Sequence, residues 1–136
     1  NLPFTSKYEA LVLASIIEKE TANPSERTMV SGVFSNRLSK RMRLQSDPTV
    51  IYGLGELYAG NLKKVHLRQW TPHNTYKIKG LPPTPIAMPG RDSIRAALQP
   101  KVTDALYFVS KGNGSHIFSS SLKDHNKAVN RYQKKQ

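Results

Sequence analysis

The 136-residue chain contains no cysteine, which excludes disulfides, zinc–thiolate sites and cysteine nucleophiles. It is also poor in acidic residues, since 9 Asp and Glu stand against 21 Lys and Arg, giving a formal net charge of +12. Such an excess favours an anionic partner, whether nucleic acid, a membrane surface or an acidic polymer. A solvated basic surface explains it equally well. Composition therefore excludes thiol chemistry and leaves the partner open.

Long hydrophobic runs are also missing, and no stretch reaches the length needed to span a bilayer. We expect any membrane anchor to lie outside this chain. The opening residues Asn1-Leu2-Pro3-Phe4 do not resemble a translation start, so we expect a piece of a longer protein. The length suits one domain, and 38% hydrophobic residues suffice for one modest core. We therefore expect residues 1–136 to form a single domain.

Capping motifs and hydrophobic spacing predict an α+β fold with a small hairpin. Ser6 with Glu9 forms a capping box that opens a first helix, predicted to end near Thr21 because Asn23-Pro24 follows. The other predicted elements are helices at 25–42, after Asp47-Pro48 and from 92 or 93 to 98, a strand at 75–79, a hairpin of 105–110 and 116–119, and a C-terminal helix opened by Ser121. Residues 56–73 give no clear pattern.

One glutamate of the first helix lies on its apolar face. At about 100° per residue, the apolar face is defined by Val12, Leu13, Ile16 and Ile17, and Glu20 falls inside it. Glu18 points to the opposite side, where a solvated glutamate is expected. Burial and the negative end of the helix dipole both favour the protonated acid, so both should raise the pKa of Glu20. A carboxyl that keeps its proton near neutrality suits general-acid catalysis.

A structural alternative competes with this interpretation of Glu20. Arg37 lies on the inner stripe of the second predicted helix and offers a partner. A Glu20–Arg37 ion pair would lower the pKa of the carboxyl and remove the argument for an acid. Position alone suggests a site without establishing one.

Several ordered motifs resemble the endolytic murein transglycosylases, the YceG-like (MltG) family. The first is the helix Leu13-Ala14-Ser15-Ile16-Ile17-Glu18-Lys19-Glu20-Thr21. The others are Ser25-Glu26-Arg27, VFSNRL at 33–38, MRLQSDPTVIYG at 42–53, Asn74-Thr75-Tyr76, GLPP at 80–83, Pro89-Gly90, YFV at 107–109 and His125-Asn126. The resemblance covers nearly the whole chain, although Trp70-Thr71-Pro72-His73 departs from the expected pattern.

The resemblance implies a lyase that cuts peptidoglycan glycan strands, with Glu20 as the catalytic acid. Cleavage between N-acetylmuramic acid and N-acetylglucosamine would leave 1,6-anhydromuramic ends and terminate nascent strands. It further implies a lysozyme-like helical fold with a small β-region, no metal and no cofactor. The full protein would sit on the periplasmic face of the bacterial inner membrane through a single-pass anchor outside this chain. Peptidoglycan synthases are further expected partners, and specific nucleic acid binding is not expected.

Four polar residues are candidates for holding the sugar: Gln45, Asp47, Asn74 and Tyr76. Amides and carboxylates bind sugar hydroxyls and acetamido groups, and a tyrosine stacks on a sugar ring. Structural roles compete, since Asp47 before Pro48 suits an N-cap, Asn74 a turn and Tyr76 strand packing.

Three further residues are candidates for positioning or assisting Glu20 without binding the sugar. Asn36 and Arg37 would position Glu20, and Glu26 would serve as an auxiliary acid, although a first-turn helical residue explains Glu26 equally well. The four histidines, His66, His73, His116 and His125, have no metal-ligand spacing. His116 and His125 are candidates for lining the cleft, with a structural role as the alternative.

Three other functions stay open from the sequence. A lysozyme-like hydrolase would use the same acid with water as acceptor. A non-catalytic peptidoglycan-binding module would tolerate loss of Glu20. A nucleic-acid-binding domain would explain the charge, but the basic residues are dispersed and no aromatic–basic motif or zinc finger is present.

Overall fold

Helix α1 runs through the centre of the core. The computed structural model describes residues 2–133, and α1 spans Lys7–Glu20 with Leu13, Ile16 and Ile17 fully buried. Its start confirms the predicted cap at Ser6, whose Oγ accepts the Glu9 amide at 3.1 Å. Glu9 Oε1 accepts the Thr5 amide at 3.3 Å, instead of the Ser6 amide that a full capping box requires. Glu20 is therefore the last residue of a buried helix.

The remaining elements surround α1. They are α2 (Arg27–Ser39), α3 (Asp47–Leu54), α4 (Lys64–Arg68), α5 (Arg91–Leu98), β1 (Tyr107–Ser110), β2 (His116–Ser119) and α6 (Leu122–Tyr132), with 3-10 turns at Pro24–Glu26 and Gly55–Leu57. Helix α1 packs most extensively on α5, and also on α2 and α3. Strands β1 and β2 pair antiparallel, with Phe108 opposite Phe118, and α6 packs on both. The α+β class is confirmed.

The ends of the second predicted helix differ from expectation. Pro24–Glu26 is a separate 3-10 turn, so α2 begins at Arg27. It ends at Ser39 because Arg41 adopts a left-handed φ of 59° and the Met42 amide turns back to the Arg37 carbonyl at 2.8 Å. The chain after α2 thereby reverses toward the end of α1.

The strand predicted at 75–79 is wrong. Asn74 makes a turn there instead: its carbonyl accepts the amides of Lys77 and Ile78, each at 3.0 Å, and its side-chain oxygen accepts the Tyr76 amide at 2.8 Å. Side chain–backbone bonds of this kind compete with extended structure. The segment consequently forms a compact turn against the start of α3.

Glu18 is not a freely solvated residue. Its carboxylate accepts the Gly90 amide and the Ser93 hydroxyl, each at 2.9 Å. These donors lie at the start of α5, whose N-cap residue, Gly90, has no side chain to cap it. The two hydrogen bonds lower the pKa of Glu18. Glu18 therefore ties α1 to α5.

No helix within residues 2–133 is long and apolar enough to cross a membrane.

Candidate active site

An open cleft of about 540 Å³ lies where α1 ends. Its walls come from the ends of α1 and α2, the segment leading into α3, the 74–77 turn, the hairpin and α6. Its polar lining includes Glu20, Arg37, Gln45, Asp47, Tyr76, His116 and His125. Three of the four predicted sugar-binding residues and the predicted acid thus share one cavity, although they are far apart in sequence.

Glu20 has the environment of a general acid. Its pKa is raised to about 7 as the net of three effects. Burial raises it most, a 2.7 Å hydrogen bond that Ser46 Oγ donates to Oε2 lowers it, and the Asp47 charge raises it. Oε1 accepts no hydrogen bond from residues 2–133. At neutral pH the carboxyl is thus divided between its two protonation states and can both give and take a proton.

The alternative ion pair of Glu20 with Arg37 does not form. Arg37 Nε donates to the Leu106 carbonyl at 2.7 Å and its Nη1 to the Arg43 carbonyl at 2.6 Å. Within residues 2–133 the salt bridges are Arg27–Asp92 and His116–Glu26. Arg37 therefore holds the backbone of the cleft wall, because its guanidinium donates hydrogen bonds to two carbonyl groups instead of pairing with Glu20.

Asp47 and Tyr76 form a pair beside the acid. The Tyr76 hydroxyl donates to Asp47 Oδ1 at 2.6 Å, and burial together with this bond raises the pKa of Tyr76 far above its usual value. Asp47 is the first residue of α3, whereas the N-cap is Ser46, so the predicted N-cap role of Asp47 is corrected. Gln45, held at a left-handed φ of 52°, continues the same wall.

Asn74 is not on the cleft surface. Its side chain is fully buried and donates to the carbonyls of Leu67 and Gln69, at 3.1 and 2.7 Å. Since its oxygen also accepts the Tyr76 amide, Asn74 holds the turn that presents Tyr76.

A stack of aromatic rings also lines the cleft. The Arg37 guanidinium lies 5.0 Å from the Tyr107 ring centroid, and the His125 ring stacks on Tyr107 at 4.9 Å. Burial and the Arg37 charge lower the pKa of His125, which favours the neutral imidazole. Flat aromatic surfaces of this kind suit the faces of sugar rings.

The two remaining predicted supporting residues contact other parts of the cleft. Glu26 Oε1 lies 2.7 Å from His116 Nδ1 and its Oε2 accepts the His116 amide at 2.9 Å, so Glu26 fixes a histidine of the cleft wall. Asn36 donates to the carbonyls of Thr103 and Ala105, at 2.7 and 2.9 Å. Neither contacts Glu20 by a hydrogen bond.

Ser46, which contacts Glu20, was not among the residues singled out from the sequence. The sequence pattern predicts the helix cap at Asp47 and gives no reason to place the hydroxyl of the preceding serine on Glu20. The signal available was the position of Ser46 inside the MRLQSDPTVIYG motif at 42–53.

Comparison with known proteins shows which family the chain belongs to. The model of the YceG-like family matches residues 1–131. An endolytic murein transglycosylase of Bacillus subtilis is 46% identical over 127 residues, covering 93% of this chain and 35% of the relative. One of Streptococcus pneumoniae is 34% identical, covering 89% of this chain and 23% of the relative.

A solved structure extends the match to the fold. The crystal structure of a putative YceG-like protein from Listeria monocytogenes superposes with a TM-score of 0.84 at 46% identity, covering 90% of this chain and 40% of that one. The chain thus spans well under half the length of each of these relatives. On the family match and this identity, the chain belongs to the YceG-like family.

Proposed function

We propose that this chain is the catalytic domain of an endolytic lytic transglycosylase acting on peptidoglycan glycan strands. The observation that carries the proposal is Glu20, a carboxyl with a pKa of about 7 in an open cleft. The names of the Bacillus and Streptococcus relatives, both endolytic murein transglycosylases, support the same substrate and reaction. No cofactor or metal enters the proposed chemistry.

Glu20 would act twice in the reaction. As an acid it protonates the oxygen between N-acetylmuramic acid and N-acetylglucosamine while the bond to the muramic C1 breaks. The substrate's 2-acetamido group stabilises the developing positive charge. Glu20, now a carboxylate, takes the proton of the muramic C6 hydroxyl, whose oxygen bonds to C1. The products are a new N-acetylglucosamine end and a 1,6-anhydromuramic end, with Glu20 protonated again and no water consumed.

The other cleft residues would bind and orient the strand. Gln45, Asp47 and Tyr76 bring an amide, a carboxylate and a phenol to the cleft, and the stacked rings of Tyr107 and His125 also line it. Asn74 would act through the backbone that carries Tyr76. Glu26 would orient His116 toward the strand, since its carboxylate binds both the amide and Nδ1 of that residue.

One observation favours a hydrolase as the second candidate. Asp47 shares the cleft with Glu20, and glycosidases that use water commonly employ two carboxyl groups. Against it, Asp47 Oδ1 already accepts a 2.6 Å hydrogen bond from the Tyr76 hydroxyl, so this oxygen is engaged with the protein rather than left to bind a water.

Digestion of glycan strands in ¹⁸O-water separates these reactions. The lyase places no solvent oxygen in its anhydro product, whereas a hydrolase labels the new reducing end. We expect unlabelled 1,6-anhydro ends from the wild-type chain and no cleavage by Glu20→Gln. Glu18→Gln, the same substitution on the same helix, should still cut. Labelled reducing ends would promote the hydrolase, and cutting by Glu20→Gln would remove Glu20 from the mechanism.

The substrate indicates where the domain would act. Peptidoglycan lies outside the cytoplasm, so the domain would act there. The periplasmic face of an inner membrane, an anchor elsewhere in the full protein and binding to peptidoglycan synthases stay predictions.

A further inference from the structure

Ser46 occupies a helix N-cap position without capping the helix. It precedes Asp47, the first residue of α3, but its side chain accepts no amide hydrogen from that helix. Serine is favoured at this position because its hydroxyl normally accepts such a bond. Here the hydroxyl is turned to Glu20 Oε2 at 2.7 Å, and Ser46 is only 2% exposed. The helix therefore forgoes a stabilising contact in favour of a contact with the acid.

The orientation of Ser46 is set by a chain of buried hydroxyls. The Ser46 amide donates to Thr75 Oγ1 at 2.8 Å, and Thr49 Oγ1 donates to the Ser46 carbonyl at 2.6 Å. The hydroxyls of Thr49 and Thr75 lie 2.8 Å apart, and both residues are fully buried.

Counting protons gives this network one direction. Because the Thr49 proton is committed to the Ser46 carbonyl, Thr75 must donate to Thr49. Each threonine then uses its single proton, and neither needs the Ser46 hydroxyl. The Ser46 proton is left for Glu20.

We propose that Ser46, held by Thr49 and Thr75, is the positioning residue that fixes Oε2 of Glu20 and leaves Oε1 to exchange the proton with the sugar. The inference rests on the proposed function for its consequence in catalysis. The contact itself stands on geometry, because Oε2 is bonded and Oε1 has no hydrogen-bonding partner within residues 2–133.

The contact also tunes the acid. A hydroxyl that donates to a carboxylate stabilises the charged form, so Ser46 lowers the pKa that burial raises. The other ionisable groups of this cleft are Asp47 on α3, Tyr76 on the 74–77 turn, Arg37 on α2, Tyr107 and His116 on the hairpin and His125 on α6. Of these, Asp47 acts on the pKa of Glu20, in the raising direction.

The test compares Ser46→Ala with wild type by two readouts. NMR titration of carboxyl-labelled Glu, with Glu20→Gln assigning the signal, should show the pKa of Glu20 rising by about one unit, since a hydrogen bond to a charged group is worth about that much. In glycan cleavage, the pH at which kcat/KM falls on the alkaline side should rise by the same amount as the pKa of Glu20. Below that pH the rate should fall about tenfold, because the carboxyl is no longer held in place.

Three further variants separate positioning from a structural effect. Ser31→Ala removes an equally buried hydroxyl with no hydrogen-bonding partner in the described chain, and should leave pKa and pH profile unchanged. Ser46→Thr, which keeps the hydroxyl, should move both readouts back toward wild type. Thr75→Val disturbs the network without removing the Ser46 hydroxyl and should raise the pKa of Glu20 by a smaller amount; this also supplies the test if Ser46→Ala does not fold.

An unchanged pKa and an unchanged pH dependence of kcat/KM in folded Ser46→Ala would overturn the proposal, whatever its melting temperature. If the wild-type chain fails to cut glycan strands, the proposed function fails instead. The NMR titration then still decides whether Ser46 holds Glu20.

Discussion

At the scale of single residues, two influences that raise the pKa of Glu20 and one that lowers it set its acid strength. Burial raises its pKa most, the Ser46 hydrogen bond opposes it, and the Asp47 charge adds a smaller increase, giving a value of about 7. An acid with such a pKa can donate and then accept a proton in the same cycle near neutrality.

Asp47→Asn should lower the pKa of Glu20, because it removes the negative charge that disfavours ionisation. The pH above which kcat/KM falls should therefore decrease. This shift is opposite in direction to the one expected for Ser46→Ala and smaller in size. Carboxyl NMR and the pH dependence of kcat/KM measure both. Tyr76→Phe is a useful comparison, since it leaves the charge and removes the 2.6 Å bond to Asp47. An upward shift in Asp47→Asn would contradict the assigned sign.

The buried position and raised pKa of Glu20 were predictable, because the helical period placed it on the apolar face. The family motif predicts the catalytic acid at the same position. The contact of Ser46 was not predictable, since the local pattern predicts a helix cap at Asp47, whereas the partner of Ser46 lies 26 residues away. Contacts between distant segments have no signature in local periodicity.

At the scale of elements, strongly capped helices were predicted well. Ser6 and Ser121 accept the amides of Glu9 and Asp124 as their capping patterns indicate, and both helices form there. Residues 75–79 failed because their alternation mimics a strand while the Asn74 side chain and carbonyl satisfy the local amides in a turn. There the local hydrogen bonds outweighed the period-two pattern.

The contact between α1 and α5 rests partly on Glu18, which offers a test of an element junction. Glu18→Gln should lower the melting temperature by a few degrees at pH 7, because a neutral amide is a weaker acceptor for the Gly90 amide and the Ser93 hydroxyl. Cleavage should persist, since Glu18 does not line the cleft. Calorimetry measures the first effect, and a melting temperature equal to wild type would show that the contact is not stabilising.

At the scale of the whole molecule, acidic groups are few and several have positions tied to the site. Of nine Asp and Glu, Glu20 and Asp47 line the cleft and Glu26 fixes His116 in the cleft wall. The excess of 21 basic residues over 9 acidic ones was evident from composition, but composition did not indicate where in the fold the acidic residues lie. Folding concentrates part of this small acidic set at one cavity.

A raised pKa at Glu20 makes the stability of the whole fold depend on pH. The unfolded carboxyl titrates near 4.5 and the folded one near 7, so the folded state holds the proton more tightly. The stabilisation from this group is complete below the unfolded pKa and is lost as pH rises through the folded pKa. Its size is at most about 3 kcal/mol, because each pKa unit is worth about 1.4 kcal/mol and water in the open cleft reduces the effect.

Glu20→Gln should therefore be more stable than wild type at pH 8 and nearly equal to it at pH 4. A neutral side chain does not have to ionise in a buried position, so the variant lacks the loss that wild type suffers between these values. Urea unfolding of both proteins across this range measures the difference, which grows above the unfolded pKa, and the pH at which it levels off reports the pKa of Glu20 in the fold without substrate. For Glu18→Gln, the stability difference from wild type should depend on pH in the opposite direction. Its wild-type carboxyl has a lowered pKa, so the advantage of wild type over that variant should shrink as pH falls through the folded pKa of Glu18. If wild type and Glu20→Gln instead follow parallel stability curves from pH 4 to pH 8, Glu20 ionises as easily in the fold as outside it. The acid role proposed for it would then lose its electrostatic basis.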